Sequence, residues 1–152
     1  MKLFISRHGE ASFYAESDFS RPLTERGVQQ TSALAKEHLS ILSEVSQIWV
    51  SPLLRAQQTA KVYQDQLKCD VHTKPFITPD SSPKQVLRQL NQAGIDNVLL
   101  VSHQPLVGDL VSLLVEGNTY QPHPFITSEL VVLELELMEA GLAYLHQDLI
   151  PH

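Results

Sequence analysis

The sequence predicts an α/β fold: a three-layer sandwich in which helices flank a mostly parallel central sheet, followed by a C-terminal hairpin. Three observations predict it. Short, continuously apolar runs recur at Leu3–Ile5, Ile48–Val50 and Val98–Val101, as in strands buried on both faces. Segments with three- and four-residue apolar spacing lie between these runs. A strictly alternating segment comes near the end of the chain. No repeat, low-complexity tract or linker divides the 152 residues, so 1–152 reads as a single domain.

Leu3–Ile5 opens the sheet. A helix is expected next, because Val28, Ser32, Ala35, Leu39 and Leu42 fall on one face and Thr24 is placed to cap its start. After Ile48–Val50, a second helix is marked by Leu53, Ala56, Ala60, Tyr63 and Leu67, with Ser51 as the expected N-cap and Pro52 in the first turn. Trp49, within the preceding strand, is expected in the core. Ser82-Pro83 repeats that helix start and Gln85 completes a capping box. Val86, Leu87 and Leu90 then point inward before Gly94 ends the third helix. A fourth helix should follow Val98–Val101, from Pro105 to Val115, stopping at Gly117. From Leu130 to Leu137, Val131, Leu133, Leu135 and Leu137 alternate with outward Glu134 and Glu136, which predicts a half-exposed strand. Glu139-Ala140-Gly141 reads as a turn, and Leu142–Ile150 as the returning strand.

Composition narrows the function. The chain has 43% hydrophobic and 18% charged residues, which is ordinary for a folded globular domain. Its net charge of −6 argues against nucleic acid or an anionic membrane as partner. A single cysteine, Cys69, excludes a disulfide framework and a multi-cysteine zinc site, and suits a reducing compartment. No apolar run approaches the ~20 residues of a membrane span. The expectation is a cytoplasmic monomer with no cofactor and no metal; His38, His72, His123, His146 and His152 show no metal-ligand spacing.

In parallel sheets the working residues lie just beyond the C-terminal ends of the strands. Arg7-His8-Gly9-Glu10 follows the first strand, Ser51 to Thr59 the second, and Ser102-His103-Gln104-Pro105 the third. Arg7, Arg21, Arg55, His8 and His103 are thereby gathered at one edge, although the chain has only five arginines. Guanidinium forks match phosphoryl oxygens. A neutral imidazole can attack phosphorus, and surrounding cations can stabilise the charge that spreads over the transferring group without a metal.

Arg7-His8-Gly9-Glu10 resembles the Arg-His-Gly signature of the histidine phosphatase superfamily, which includes phosphoglycerate mutases and acid phosphatases. Arg21-Pro22-Leu23-Thr24, Ser51-Pro52 through Arg55-Ala56-Gln57-Gln58-Thr59, and Ser102-His103 resemble its other elements, in family order. Within the superfamily the chain is most similar to the short bacterial SixA type of phosphohistidine phosphatase. That resemblance rests also on Val101–Gly108 and on Phe125-Ile126-Thr127-Ser128 before the hairpin. It implies His8 as nucleophile, a phosphate pocket of Arg7, Arg55 and His103, and Arg21 at the rim. It also implies a partner: a phosphohistidine-bearing signalling or phosphotransfer protein, such as a histidine-phosphotransfer domain.

The chain departs from the larger relatives in two places. They insert a cap region carrying a glutamate that protonates the leaving oxygen, whereas Lys74–Pro83 here is short and lacks a glutamate. The mutases carry an asparagine near the position of Tyr14. Asp80 and Glu10 are the candidate substitute acids, against a turn role for Asp80 and a loop ion pair for Glu10. Asp18 and Glu16 are candidate partners of Arg21. A missing strong acid favours a leaving group that departs as imidazole (pKa about 6.5) over an alkoxide. The alternatives are a broad small-molecule phosphomonoesterase using the same residues, a noncatalytic phosphoprotein-binding module, and a metal hydrolase, the last disfavoured by the lack of clustered carboxylates.

Overall fold

The structure is a computed structural model that describes residues 1–152. In chain order it forms β1 (Lys2–Arg7), α1 (Glu25–Glu37), α2 (Leu39–Leu42), β2 (Gln47–Val50), α3 (Leu54–Leu67) and β3 (Asp70–Thr73). The second half forms α4 (Pro83–Ala93), β4 (Val98–Ser102), α5 (Leu106–Glu116), β5 (Leu130–Glu134) and β6 (Tyr144–Leu149). One six-stranded sheet runs in the order β3-β2-β4-β1-β5-β6. β1, β2, β3 and β4 are mutually parallel, and β5 and β6 form the antiparallel hairpin beside β1. No subdomain is inserted in the loop 74–82, and no helix is long and apolar enough to cross a membrane.

Side-chain alternation along the central strands feeds two cores. Leu3 and Ile5 of β1, Val98 and Leu100 of β4, and Val131 and Leu133 of β5 pack with Val86, Leu90, Leu106, Leu110 and Leu114 of α4 and α5. Phe4, Leu99, Val101, Leu130 and Val132 point the other way, onto Leu34, Leu42, Ala56, Ala60 and Tyr63 of α1, α2 and α3. Trp49 is buried in the first core, edge-on to Phe76.

The structure differs from expectation at four elements. β5 is buried through Leu133 rather than half-exposed, because β1 and β6 flank it and both layers of helices cover its faces; Leu137 lies beyond it, exposed. β3 carries no apolar signature because it is an edge strand paired only with β2 and largely exposed. α1 ends at Glu37 and buries Gly27, Thr31, Leu34 and Ala35, leaving Val28 and Leu39 exposed. Its N-terminal half packs on backbone rather than on the core, which selects small residues there. α3 starts at Leu54 without a side-chain cap, so Ser51 and Pro52 precede the helix. The Phe19 carbonyl takes the Leu54 N–H instead, at 3.1 Å.

Side-chain caps form at the starts of α1 and α4, the second without the returning Gln85 bond of the expected capping box. Thr24 accepts from Gly27 N at the start of α1, and Ser82 from Gln85 N at the start of α4. Left-handed Gly94 and Gly117 end α4 and α5.

Two glycines allow α1 to lie against the end of β1. A Cβ on Gly27 would collide with the Glu10 backbone, and one on Gly9 would meet the Gly27 carbonyl at 3.0 Å, Thr31 Oγ1 at 3.1 Å and Ser128 Oγ at 3.2 Å. Backbone on backbone cannot relax as a flexible side chain does. Gly27→Ala is therefore expected to destabilise the protein by about 1–3 kcal/mol, measured by urea unfolding; wild-type stability would contradict this close packing.

Candidate active site

The three expected strand ends converge. Arg7 ends β1, and the His8 N–H continues the ladder to the Ser102 carbonyl at 3.0 Å. Ser51 N reaches Val101 O at 3.1 Å on the other side of β4. Arg7, His8, Arg55 and His103 line one cavity of about 530 Å³, together with Arg21, Asp18, Glu10 and Phe13.

Two hydrogen bonds fix the state of His8. Its Nδ1 lies 2.7 Å from the Gly9 carbonyl, which can only accept, so Nδ1 carries the proton. Nε2 accepts from Arg55 Nε at 3.3 Å, as an unprotonated nitrogen must. Burial, reinforced by the charges of Arg55, Arg7 and Arg21, lowers the His8 pKa to about 4. The ring is neutral at pH 7 and its Nε2 is unprotonated, its lone pair held by the Arg55 N–H.

His103 lies beside it, ring centroids 5.1 Å apart. Its Nε2 is 2.7 Å from Ser51 Oγ; that hydroxyl accepts from Leu53 N and can donate its own proton to Nε2, which leaves the ring proton on Nδ1. Burial first, then His8 and Arg55, bring its pKa to about 3. Ser51, expected as a helix cap, is thus a buried residue that orients His103.

The arginines are held differently. Arg55, buried near the start of α3, donates from NH1 to the Asp18 carbonyl (2.8 Å) and from NH2 to its carboxylate (3.4 Å). Arg21 takes the other Asp18 oxygen at 3.3 Å, donates to Ser12 O, and stacks on Phe13 at 4.0 Å. Burial works against the Asp18 carboxylate, but Arg55 and Arg21 outweigh it and hold its pKa below the ordinary value. Arg7 donates from NH1 to Phe125 O at 2.9 Å; burial and Arg55 depress its own pKa.

Thr59, four residues after Arg55, accepts the Gly9 N–H at 3.0 Å and donates to Arg55 O at 2.8 Å. That explains the arginine–threonine spacing: the hydroxyl pins α3 to the turn carrying His8.

Arg7 Nε and His103 Nδ1 are the only buried side-chain nitrogen or oxygen atoms without a hydrogen-bond partner. Such groups are costly unless something meets them. Two of them among guanidinium groups suit the oxygens of a bound anion.

The remaining candidates fall elsewhere. Glu10 borders the cavity, but its carboxylate oxygens are engaged by Thr24 Oγ1 (2.9 Å) and Arg26 NH1 (3.3 Å). Asp80 does not line the cavity; it accepts from Thr78 Oγ1 within its turn. Glu16 is exposed and makes no ion pair with Arg21, whereas Asp18 joins two arginines. His123, unremarkable in the sequence, meets Glu129 and Asp148 near the site. Ser128 and Glu129 were also missed: one is a left-handed non-glycine residue, the other a buried carboxylate, and neither state is visible in composition.

Residues 3–78 match the model of the histidine phosphatase superfamily, branch 1. The chain is 37% identical over 141 residues to phosphohistidine phosphatase SixA of Escherichia coli, covering 90% of this chain and 86% of that protein. It is 37% identical over 126 residues to the SixA homolog of Haemophilus influenzae, covering 75% and 77%. A solved structure of the protein histidine phosphatase SixA complexed with tungstate superposes with a TM-score of 0.87 at 33% identity, over 98% of this chain and 96% of that one. With these motifs at the ends of β1, β2 and β4, the chain belongs to the histidine phosphatase superfamily.

Proposed function

We propose that the protein is a metal-independent phosphohistidine phosphatase, cytoplasmic and monomeric, acting as one domain. Its substrate is phosphohistidine on a signalling or phosphotransfer protein such as a histidine-phosphotransfer domain. The observation that carries this reading is the neutral His8 ring, Nδ1–H tied to Gly9 O, with Nε2 facing a cavity walled by Arg7, Arg55 and His103. The SixA relatives, named phosphohistidine phosphatases, support the substrate class.

In this reading a phosphoryl group enters with its oxygens on Arg7, Arg55 and the free His103 nitrogen. The Arg55 N–H that rests on His8 turns to the phosphate, freeing the Nε2 lone pair. Nε2 bonds to phosphorus as the substrate P–N bond breaks; the departing nitrogen keeps that electron pair, and a substrate ring already protonated on its other nitrogen leaves as neutral imidazole. Water then attacks phospho-His8, releases inorganic phosphate and returns the ring to its neutral state. Arg21 acts at the rim by holding Asp18. An imidazole is an easier leaving group than an alkoxide, which fits a site where Glu10 is already bound and Asp80 is turned away. Phe13 and Tyr14, 85% and 95% exposed beside the cavity, favour a substrate presented on a protein surface.

His8→Ala is expected to abolish turnover while leaving the circular-dichroism spectrum unchanged; retained activity would sink the nucleophile assignment. A rate comparison decides the substrate class. A phosphorylated histidine-phosphotransfer domain should be dephosphorylated at least tenfold faster, in kcat/KM, than small phosphate monoesters, and EDTA should leave the rate unchanged. Equal or faster monoester turnover would make the protein a broad phosphomonoesterase instead.

The buried histidines also set a pH dependence. Unfolded histidine binds a proton near pH 6.5, while His8 and His103 do so only near 4 and 3. Stability from these sites is present above pH 6.5 and is lost as pH falls toward 4 and 3. Nitrogen-15 NMR should find His8 neutral, with the proton on Nδ1, at pH 5.5; a midpoint near 6.5 would contradict it.

A further inference from the structure

Arg7 is built into the segment between α5 and β5. Its NH1 donates to Phe125 O at 2.9 Å, and its backbone N–H to Glu129 O at 3.1 Å. Next to it, Ser128 N donates to His8 O at 3.0 Å. The segment is a tight turn in which Glu129 N reaches Ile126 O at 3.2 Å, and Ser128 takes a left-handed φ of 67°. A non-glycine residue holds that conformation only where its surroundings enforce it.

One side chain ties the turn from inside. Glu129 is 2% exposed. Its Oε1 accepts from Ile126 N at 2.9 Å, and its Oε2 lies 2.6 Å from His123 Nε2. The His123 ring stacks edge-on against Phe125 at 4.8 Å, and its Nε2 is 3.6 Å from Asp148 on β6. The His123 backbone is bonded to Gln104 Nε2 and to the Gly108 carbonyl. The carboxylate thus joins both ends of the turn to α5 and sets where the Phe125 carbonyl stands. His123, Glu129 and Asp148 could suggest a metal site. However, two ligands of one tetrahedral zinc are held about 3.3 Å apart. At 2.6 Å the imidazole and carboxylate are in direct hydrogen-bond contact instead.

We propose that Glu129 is a positioning residue for Arg7: by closing the Phe125–Glu129 turn it places the carbonyl that aims the Arg7 guanidinium into the cavity. The inference rests on reading the cavity as a phosphoryl site.

The test measures inorganic phosphate binding by phosphorus NMR in a double-mutant cycle, with melting temperatures to confirm folding. Glu129→Ala is expected to weaken binding about tenfold, the scale of one buried hydrogen bond. In the Arg7→Ala background the same change should cost less than about twofold, because its effect passes through Arg7. Glu129→Gln, which keeps an acceptor for Ile126 N, should recover most of the loss. Unchanged affinity in Glu129→Ala would overturn the proposal, and so would an equal tenfold loss in the Arg7→Ala background. If Glu129→Ala does not fold, His123→Ala takes its place in the cycle, judged by the same two outcomes. Phosphate binding separates this inference from the substrate assignment: the cycle can hold even if phosphohistidine proves not to be the substrate. A wild-type protein that does not bind phosphate would sink both.

Discussion

Two guanidinium groups, Arg7 and Arg55, are brought to the same edge of the sheet, and burial together with the Arg55 charge raises the cost of charging Arg7. Like charges in a partly buried site must be offset, and much of the local structure serves that end. Asp18 spans Arg55 and Arg21. The Phe125 carbonyl and the nearby Glu129 carboxylate face Arg7. The two histidines stay neutral chiefly because burial disfavours their charged forms, and the neighbouring positive charges add to that. The burial and nearby charges that depress the His8 pKa leave its Nε2 unprotonated, so the cost of assembling the site is also the source of its nucleophile.

The topology explains why these charges can meet. Parallel β1, β2 and β4 all end at one edge, so three separate chain segments deliver Arg7-His8, Ser51 to Arg55 and His103 to one place. Each delivery is locked by a contact between segments. Thr59 holds the Gly9 turn, Ser51 holds His103, and Gly27 lets α1 close over Glu10. The net charge of −6 is a global sum and coexists with a cationic cavity. Acidic residues away from the cavity can discourage unsuitable polyanions without weakening a short-range phosphate contact.

Much of the fold was legible because hydrophobic burial imposes periodicity. β1, β2, β4, α4 and α5 appear within a residue or two of the positions their apolar patterns indicate. The failures share a cause. β3 is an edge strand and needs no apolar pattern, β5 is covered by layers that the local sequence cannot foresee, and the face of α1 near the site packs on backbone rather than on side chains. Ser51 resembled a helix cap because serine before proline usually is one; the distant His103 side chain claimed its hydroxyl.

The sequence by itself determined the alternating α/β order, the two hydrophobic faces, and the arginines and histidines at the strand ends, since each follows from short-range periodicity and motif spacing. The tertiary structure decided the rest. It set which nitrogen of His8 bears the proton, that Asp18 bridges two arginines, that Glu10 and Asp80 are engaged elsewhere, and that Glu129 underlies Arg7. Those properties depend on desolvation and on hydrogen bonds between residues far apart in the chain, which exist only once the sheet has brought its ends together.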